Sequence, residues 1–218
     1  SVSTPAWAQD PPLCGPPGGE VPATIVSAGT IIGTPGDDVI VGSADGDRIS
    51  GLGGNDIICG DGGNDIVNGG PGDDVIAGDE LASPPFAASN GENDDHLSGG
   101  PGDDLLAGLG GNDQLDGGPG DDQFLGMGGD DTVTAGPGAD TAFGGPGVDR
   151  IRGDVGDDSL WGNFGRDDIS GGPGDDFIDG DNPNPPPPGP LPFPPGGNDD
   201  SCSGGPGADT VVNCETTA

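Results

Sequence analysis

Residues 69–77 read GGPGDDVIA, residues 99–107 GGPGDDLLA, residues 108–116 GLGGNDQLD and residues 171–179 GGPGDDFID. All four are versions of one nine-residue unit. The unit recurs seventeen times in a single frame, beginning at residues 33, 42, 51, 60, 69, 78, 99, 108, 117, 126, 135, 144, 153, 162, 171, 180 and 204. Two steps exceed nine, by 12 residues between 78 and 99 and by 15 between 180 and 204, and the frame resumes after both.

Superposing the units separates their positions by physical demand. Position 1 is Gly in sixteen units and Ala135 in the other. Position 4 is Gly except at Asp45, Asn93 and Asn198. Asn and Asp tolerate a left-handed backbone best after Gly, so position 4 is expected to have positive φ. Position 8 is always apolar, from Ile40 to Val211. One buried residue between two outward ones predicts a three-residue strand.

Position 6 is invariant: Asp38, Asp47, Asp56, Asp65, Asp74, Asp95, Asp104, Asp113, Asp122, Asp131, Asp140, Asp149, Asp158, Asp167, Asp176, Asp200 and Asp209. Of the 39 acidic residues, only Glu20, Glu80, Glu92 and Glu215 are Glu. Solubility would accept either carboxylate, whereas a tight turn that brings a carboxylate beside its own backbone needs the shorter arm. Stacked units would set Asp beside Asp, a repulsive arrangement that a hard divalent cation with oxygen ligands removes.

The unit resembles the RTX (repeats-in-toxin, hemolysin-type) calcium-binding nonapeptide, Gly-Gly-x-Gly-x-Asp-x-apolar-x. The whole also resembles small secreted RTX-repeat proteins of Gram-positive bacteria rich in GGPG units. The resemblance covers residues 33 to about 212 and implies an all-β, right-handed parallel β-roll, an RTX-type β-solenoid with two nonapeptide units per coil. It implies Ca²⁺ between turns stacked on one edge, held by position-6 carboxylates of units n and n+2 and by turn carbonyls. Seventeen units then allow at most 17 − 2 = 15 ions.

Composition sets the energetics. Gly 50, Pro 25, 29% hydrophobic residues and a net charge of −35 are a balance that alone predicts disorder. Ordering a residue costs roughly 1–2 kcal/mol of backbone entropy. One aliphatic per nine residues returns only about 1.5–3 kcal/mol. Burial loses unless metal binding and folding are one reaction.

The ends suggest export. Ala6-Trp7-Ala8 fits an A-x-A signal-peptidase site, so residues 1–8 read as a signal-peptide remnant and 9–32 as an N-terminal segment and cap. The C-terminal residues 213–218 read as a second cap. Type I export, which the family uses with an uncleaved C-terminal signal, fits poorly with a chain ending VVNCETTA, and a cleaved N-terminal signal is preferred. Four cysteines agree with an oxidising compartment. Three pairings are open, and position favours Cys14 with Cys59 and Cys202 with Cys214. The inserts, about 80–92 and 182–197, both interrupt turns of even-numbered units and should leave the same edge. The second, NPNPPPPGPLPFPPGG, is expected to form polyproline II.

Other chemistries find little material. His96 is the lone histidine and is expected outward, so no catalytic Ser-His-Asp or Cys-His set can be assembled. Arg48, Arg150, Arg152 and Arg166 are the only basic residues in a strongly negative chain, which disfavours nucleic acid. No apolar run approaches a membrane span. The reading is a secreted, monomeric, non-enzymatic calcium-binding β-roll. Its alternatives are a calcium-dependent surface or matrix adhesin and the repeat region of an exported RTX protease or lipase.

Overall fold

Each nonapeptide becomes one turn and one short strand because its only invariant apolar residue, at position 8, has a single place to be buried. The computed structural model describes residues 13–14, 21–22, 24–79, 93–180 and 200–214. Strands from odd-numbered units form one parallel sheet, and strands from even-numbered units form a second. Ten strands, from Ile25–Val26 to Thr210–Val212, make the first, and nine, from Thr30–Ile32 to Ser201–Ser203, the second. The chain alternates between the sheets, so two units complete one coil of a parallel β-solenoid. No helix occurs among the described residues.

Register follows the repeat. Position 8 pairs with position 8 two units on, as in Ile40 with Ile58 and Leu115 with Val133. Both long steps are absorbed without a slip: Val67 pairs with Leu97, and Ile169 with Cys202. A one-residue slip would turn the whole apolar set outward, so burial itself fixes the register. The position-8 residues from Ile40 to Ile178 form one continuous core with Ile31 and Ala135. At the C-terminal end Cys202 is only partly buried and Val211 is 39% exposed.

The sheets begin earlier than the repeat count indicates. Ile25–Val26 and Thr30–Ile32 pair with the strands of the first and second units. Ile31 stands 18 residues before Ile49, in frame, but the position-6 place of that turn is taken by Gly29. Further upstream, Leu13–Cys14 and Val21–Pro22 form a two-stranded antiparallel ribbon. The ribbon's first strand lies against the strands Val39–Ser43 and Ile57–Asp61.

The two sheets present different outer faces. On the nine-stranded sheet, position 9 carries Ser50, Asn68, Ser98, Asp116, Thr134, Arg152 and Ser170. On the ten-stranded sheet the same position carries Val41, Cys59, Ala77, Ala107, Leu125, Phe143 and Trp161. Val41, Cys59, Ala77 and Ala107 are buried and form a second apolar cluster outside the core. The expected picture of one inward residue between two outward ones therefore holds for the nine-stranded sheet and fails for the first half of the ten-stranded one and again at the buried Asp179.

A disulfide joins Cys202 to Cys214 at the C-terminal end. Cys59 is also disulfide-bonded, while the side chain of Cys14 lies outside the described residues. Residues 1–8, both inserts and 215–218 lie outside them too. The first insert is rooted between Asp79 and Asn93 and the second between Gly180 and Asp200. Both therefore connect a strand of the ten-stranded sheet to one of the nine-stranded sheet, at the same edge.

Candidate metal centre

The invariant Asp residues form two ladders, one on each turn edge. Asp38, Asp56, Asp74, Asp104, Asp122, Asp140, Asp158, Asp176 and Asp209 stack on one edge. Asp47, Asp65, Asp95, Asp113, Asp131, Asp149, Asp167 and Asp200 stack on the other. All except the terminal Asp209 are buried.

Within each ladder the backbone N–H of one Asp donates to Oδ1 of the Asp two units on. Asp38 donates to Asp56 at 2.9 Å, Asp104 to Asp122 at 2.8 Å and Asp131 to Asp149 at 2.9 Å. The bonds persist across both inserts, from Asp65 to Asp95 at 2.7 Å and from Asp167 to Asp200 at 2.7 Å. One oxygen of each carboxylate after Asp38 is therefore committed to coil stacking, and the short Asp side chain is what reaches the neighbouring backbone.

The second oxygen is different. Oδ2 of Asp56, Asp65, Asp74, Asp95, Asp104, Asp113, Asp122, Asp131, Asp140, Asp149, Asp158 and Asp176 is buried with no hydrogen-bond partner. An unpartnered buried carboxylate oxygen is strongly unfavourable unless the group is protonated or a cation is supplied. The carboxyl groups respond accordingly: burial, then neighbouring Asp charges, raise Asp95 and Asp149 to about 8 and Asp65, Asp104 and Asp131 to about 7. The ladder bonds from backbone N–H oppose the rise without cancelling it.

The first two units are exceptions. Ser43 N–H donates to Oδ2 of Asp47 at 2.7 Å and Ser43 Oγ donates to it at 3.0 Å. Thr34 N–H likewise donates to Oδ2 of Asp38. Position 2 has positive φ in most later turns, including at Leu52, Asp61, Leu109, Met127, Asp154 and Asn163. There its N–H turns toward the next coil instead, as in Gly70 to Gly99 O at 2.8 Å and Gly100 to Gly117 O at 2.8 Å.

This corrects the reading of position 4. Gly54, Gly63, Gly72, Gly102 and others there do have positive φ, but Asp45 and Asn93 do not. Those two occupy altered turns, one stacked on the short turn at Gly29 and one closing an insert. The commoner demand at position 4 is space. A Cβ on Gly102 or Gly120 would run into the carbonyl of Gly72 or Gly102 in the preceding coil. Position 1 is Gly for a related reason, since a Cβ on Gly51 would collide with Oδ2 of Asp56.

The stacked turns thus bring together buried carboxylate oxygens and closely approaching backbone carbonyls, an all-oxygen donor set suited to a hard cation such as Ca²⁺. Among the described residues no three His, Cys, Asp or Glu side chains converge as a metal cage. Carbonyls must complete any such site. The RTX calcium-binding nonapeptide repeat family model, described as four copies, matches residues 32–67, 60–80, 89–124, 125–160 and 152–182. The chain belongs to this family. Its RTX repeats account for most of the sequence, and a comparison with characterised proteins gives no match.

A second ladder escaped the sequence reading. At position 5 the side chains face solvent, and bonding runs the opposite way: Asp103 Oδ1 accepts from Asp121 N–H at 2.9 Å and Asp121 Oδ1 from Ala139 N–H at 2.9 Å. Ala139 and Val148 interrupt it on the two edges. Doublets such as Asp121-Asp122 are therefore two structural ladders side by side, one exposed and one buried. His96 is exposed on its strand.

Proposed function

We propose that this protein is an extracellular calcium-dependent β-roll in which ion binding and folding are one event. The observation that carries the reading is the row of buried position-6 carboxylates, with one oxygen used by the neighbouring coil from Asp47 onward and, through most of the stack, the other without a partner. Bound Ca²⁺ would supply the positive charge that these carboxylates need in order to stay ionised when buried.

The ligands would be the position-6 Asp residues from Asp56 onward with carbonyls of the Gly-rich turns. Asp38 and Asp47 take part less, because Thr34 and Ser43 already satisfy their outer oxygens. That lowers the expected ion count below the fifteen that unit spacing allows. Extracellular action is supported by the bonded cysteines, and the expected affinity is that of extracellular calcium modules, about 10⁻⁴ to 10⁻³ M. The role is structural and not catalytic in this reading, since the recurring carboxylates give one oxygen to stacking and the other to the ion.

The test is a Ca²⁺ titration of chelator-treated, disulfide-intact protein, with Mg²⁺ in parallel, followed by far-UV circular dichroism and hydrodynamic radius. A cooperative coil-to-β transition with compaction near millimolar Ca²⁺, absent with Mg²⁺, is expected. A chain fully folded in chelator at pH 8 would sink the proposal.

A further inference from the structure

The strands Ile25–Val26 and Thr30–Ile32 end the two sheets, so the first coils have a neighbour on one side only. Their polar groups are nevertheless satisfied from within residues 24–50. Asp47 Oδ1 accepts from the N–H of Gly29, and its Oδ2 accepts from Ser43 N–H at 2.7 Å and Ser43 Oγ at 3.0 Å. Asp38 Oδ2 accepts from Thr34 N–H. At the sheet edge Thr24 Oγ1 donates to Val39 O at 3.0 Å, and Val39 N–H donates to Thr24 Oγ1 at 3.0 Å.

Apolar burial is also richest at this end. Ile31 adds a core residue ahead of the first unit. The strands of units 33–41 and 51–59 each bury two apolar residues, Ile40 with Val41 and Ile58 with the disulfide-bonded Cys59. The strand of unit 135–143 buries only Ala142 and leaves Phe143 half-buried. The opposite end has neither advantage. Val211 and Val212 are 39% and 37% exposed there, and the buried Oδ2 of Asp176, one coil in, has no hydrogen-bond partner.

We propose that residues 24–50, with their carboxylates capped by Thr34 and Ser43, are the seed of the roll: they order at lower calcium than the coils that follow, which then add in chain order. The proposal rests on the calcium-coupled folding above and adds where that folding begins. In a stack held by nearest-neighbour contacts the hardest coil to order is the first, which has no neighbour to bond. Here that coil is closed by local donors and needs no cation to keep its two carboxylates ionised. Once ordered, it offers the N–H of Asp38 to Asp56 and that of Asp47 to Asp65, bonds of 2.9 and 2.7 Å in the finished roll. Each later coil meets a donor already in place, and calcium is required only for its outer oxygen.

The test is amide hydrogen exchange of the intact, disulfide-bonded chain across a Ca²⁺ titration. Amides of Val39–Ser43 and Arg48–Ser50 should reach half-protection at a calcium concentration at least about threefold below that for Thr141–Gly147 and Ser159–Gly165. Thr34→Gly with Ser43→Gly gives both positions access to the left-handed φ of the later turns, which points their N–H away from Asp38 and Asp47. In that variant the early midpoint should rise to that of the central coils. Protection that appears everywhere at one calcium concentration, or first at Ser201–Ser203 and Thr210–Val212, would overturn the seed and leave calcium-coupled folding standing. So would an early midpoint that the double variant does not move. Full protection of every coil in chelator would instead remove the reading on which the seed rests. If the double variant orders at no calcium concentration, the sequence of protection in the parent decides alone.

Discussion

The first two turns of the roll and the turns that follow share a sequence pattern but solve the same electrostatic problem differently. In the first two, Thr34 and Ser43 offer their N–H groups to the outer oxygens of Asp38 and Asp47. In most later turns a left-handed residue at position 2 redirects that N–H to the next coil, and the outer Asp oxygen is left bare. Local capping and coil-to-coil stacking compete for one donor. Where stacking wins, the carboxylate must be protonated or meet a cation.

The largest effect should separate these regions. Asp122→Asn keeps an Oδ1 acceptor for Asp104 N–H but removes the charge, so it isolates the cation's contribution from the ladder bond. In saturating calcium it should cost on the order of 3 kcal/mol. Asp38→Asn should cost only about 1 kcal/mol. Equal losses, measured by chemical denaturation, would erase the distinction.

Acidity gives the next contrast. Unfolded Asp titrates near 3.9, whereas Asp95 and Asp149 are raised to about 8 and Asp65 and Asp104 to about 7 in the fold, first by burial and then by neighbouring Asp. A raised carboxyl pKa means the fold prefers the neutral form. The chelated fold is thus least penalised below about pH 4 and loses stability as pH rises through 6 to 8. Lowering the pH of chelated protein from 8 to 5 should increase β-sheet dichroism, and the stabilisation added by calcium should be larger at pH 8 than at pH 5. A metal-free chain that gains β structure on alkalinisation would contradict this.

Cys202→Ser with Cys214→Ser carries the comparison to the opposite end, where Asp209 is only half-buried and the bond closes a short loop. A loss of about 2–3 kcal/mol is expected. Because a solenoid coil contacts only its neighbours, hydrogen exchange should speed up around Thr210–Val212 and leave the central coils unchanged. Uniform acceleration along the roll would argue against end-capping.

The smallest effect concerns the left-handed position itself. Leu52 is 45% exposed with φ 85°, so Leu52→Gly relieves backbone strain while giving up little burial. It should stabilise the calcium-bound roll by about 1 kcal/mol, read as an upward shift in melting temperature. A decrease would show that the Leu52 side chain contributes more than its exposure indicates.

Much of the fold was legible in the repeat because one apolar residue per nine, in an unbroken frame, leaves a single register that buries them all. The Asp ladder was legible as well, since a short carboxylate that never varies among freely varying neighbours must serve a contact made in every turn. The two outer faces were harder to see. Their contrast, Ser50 and Asn68 against Val41 and Cys59, recurs every eighteen residues and is averaged away when every unit is laid on every other. Comparing units two apart would have found it, and Phe143 and Trp161 would then have stood out as neighbours.

By itself the sequence determined the periodicity, the buried residue of each strand, the invariant carboxylate and the class of cation such oxygens suit, because these depend only on what each nonapeptide repeats. Tertiary structure alone decided which carboxylate oxygen is used and which is left bare, where the Cβ of positions 1 and 4 would strike a neighbouring group, and which sheet face is apolar. The physical reason is that these properties belong to the contact between coils, eighteen or more residues apart, where one N–H must choose between its own turn and the next.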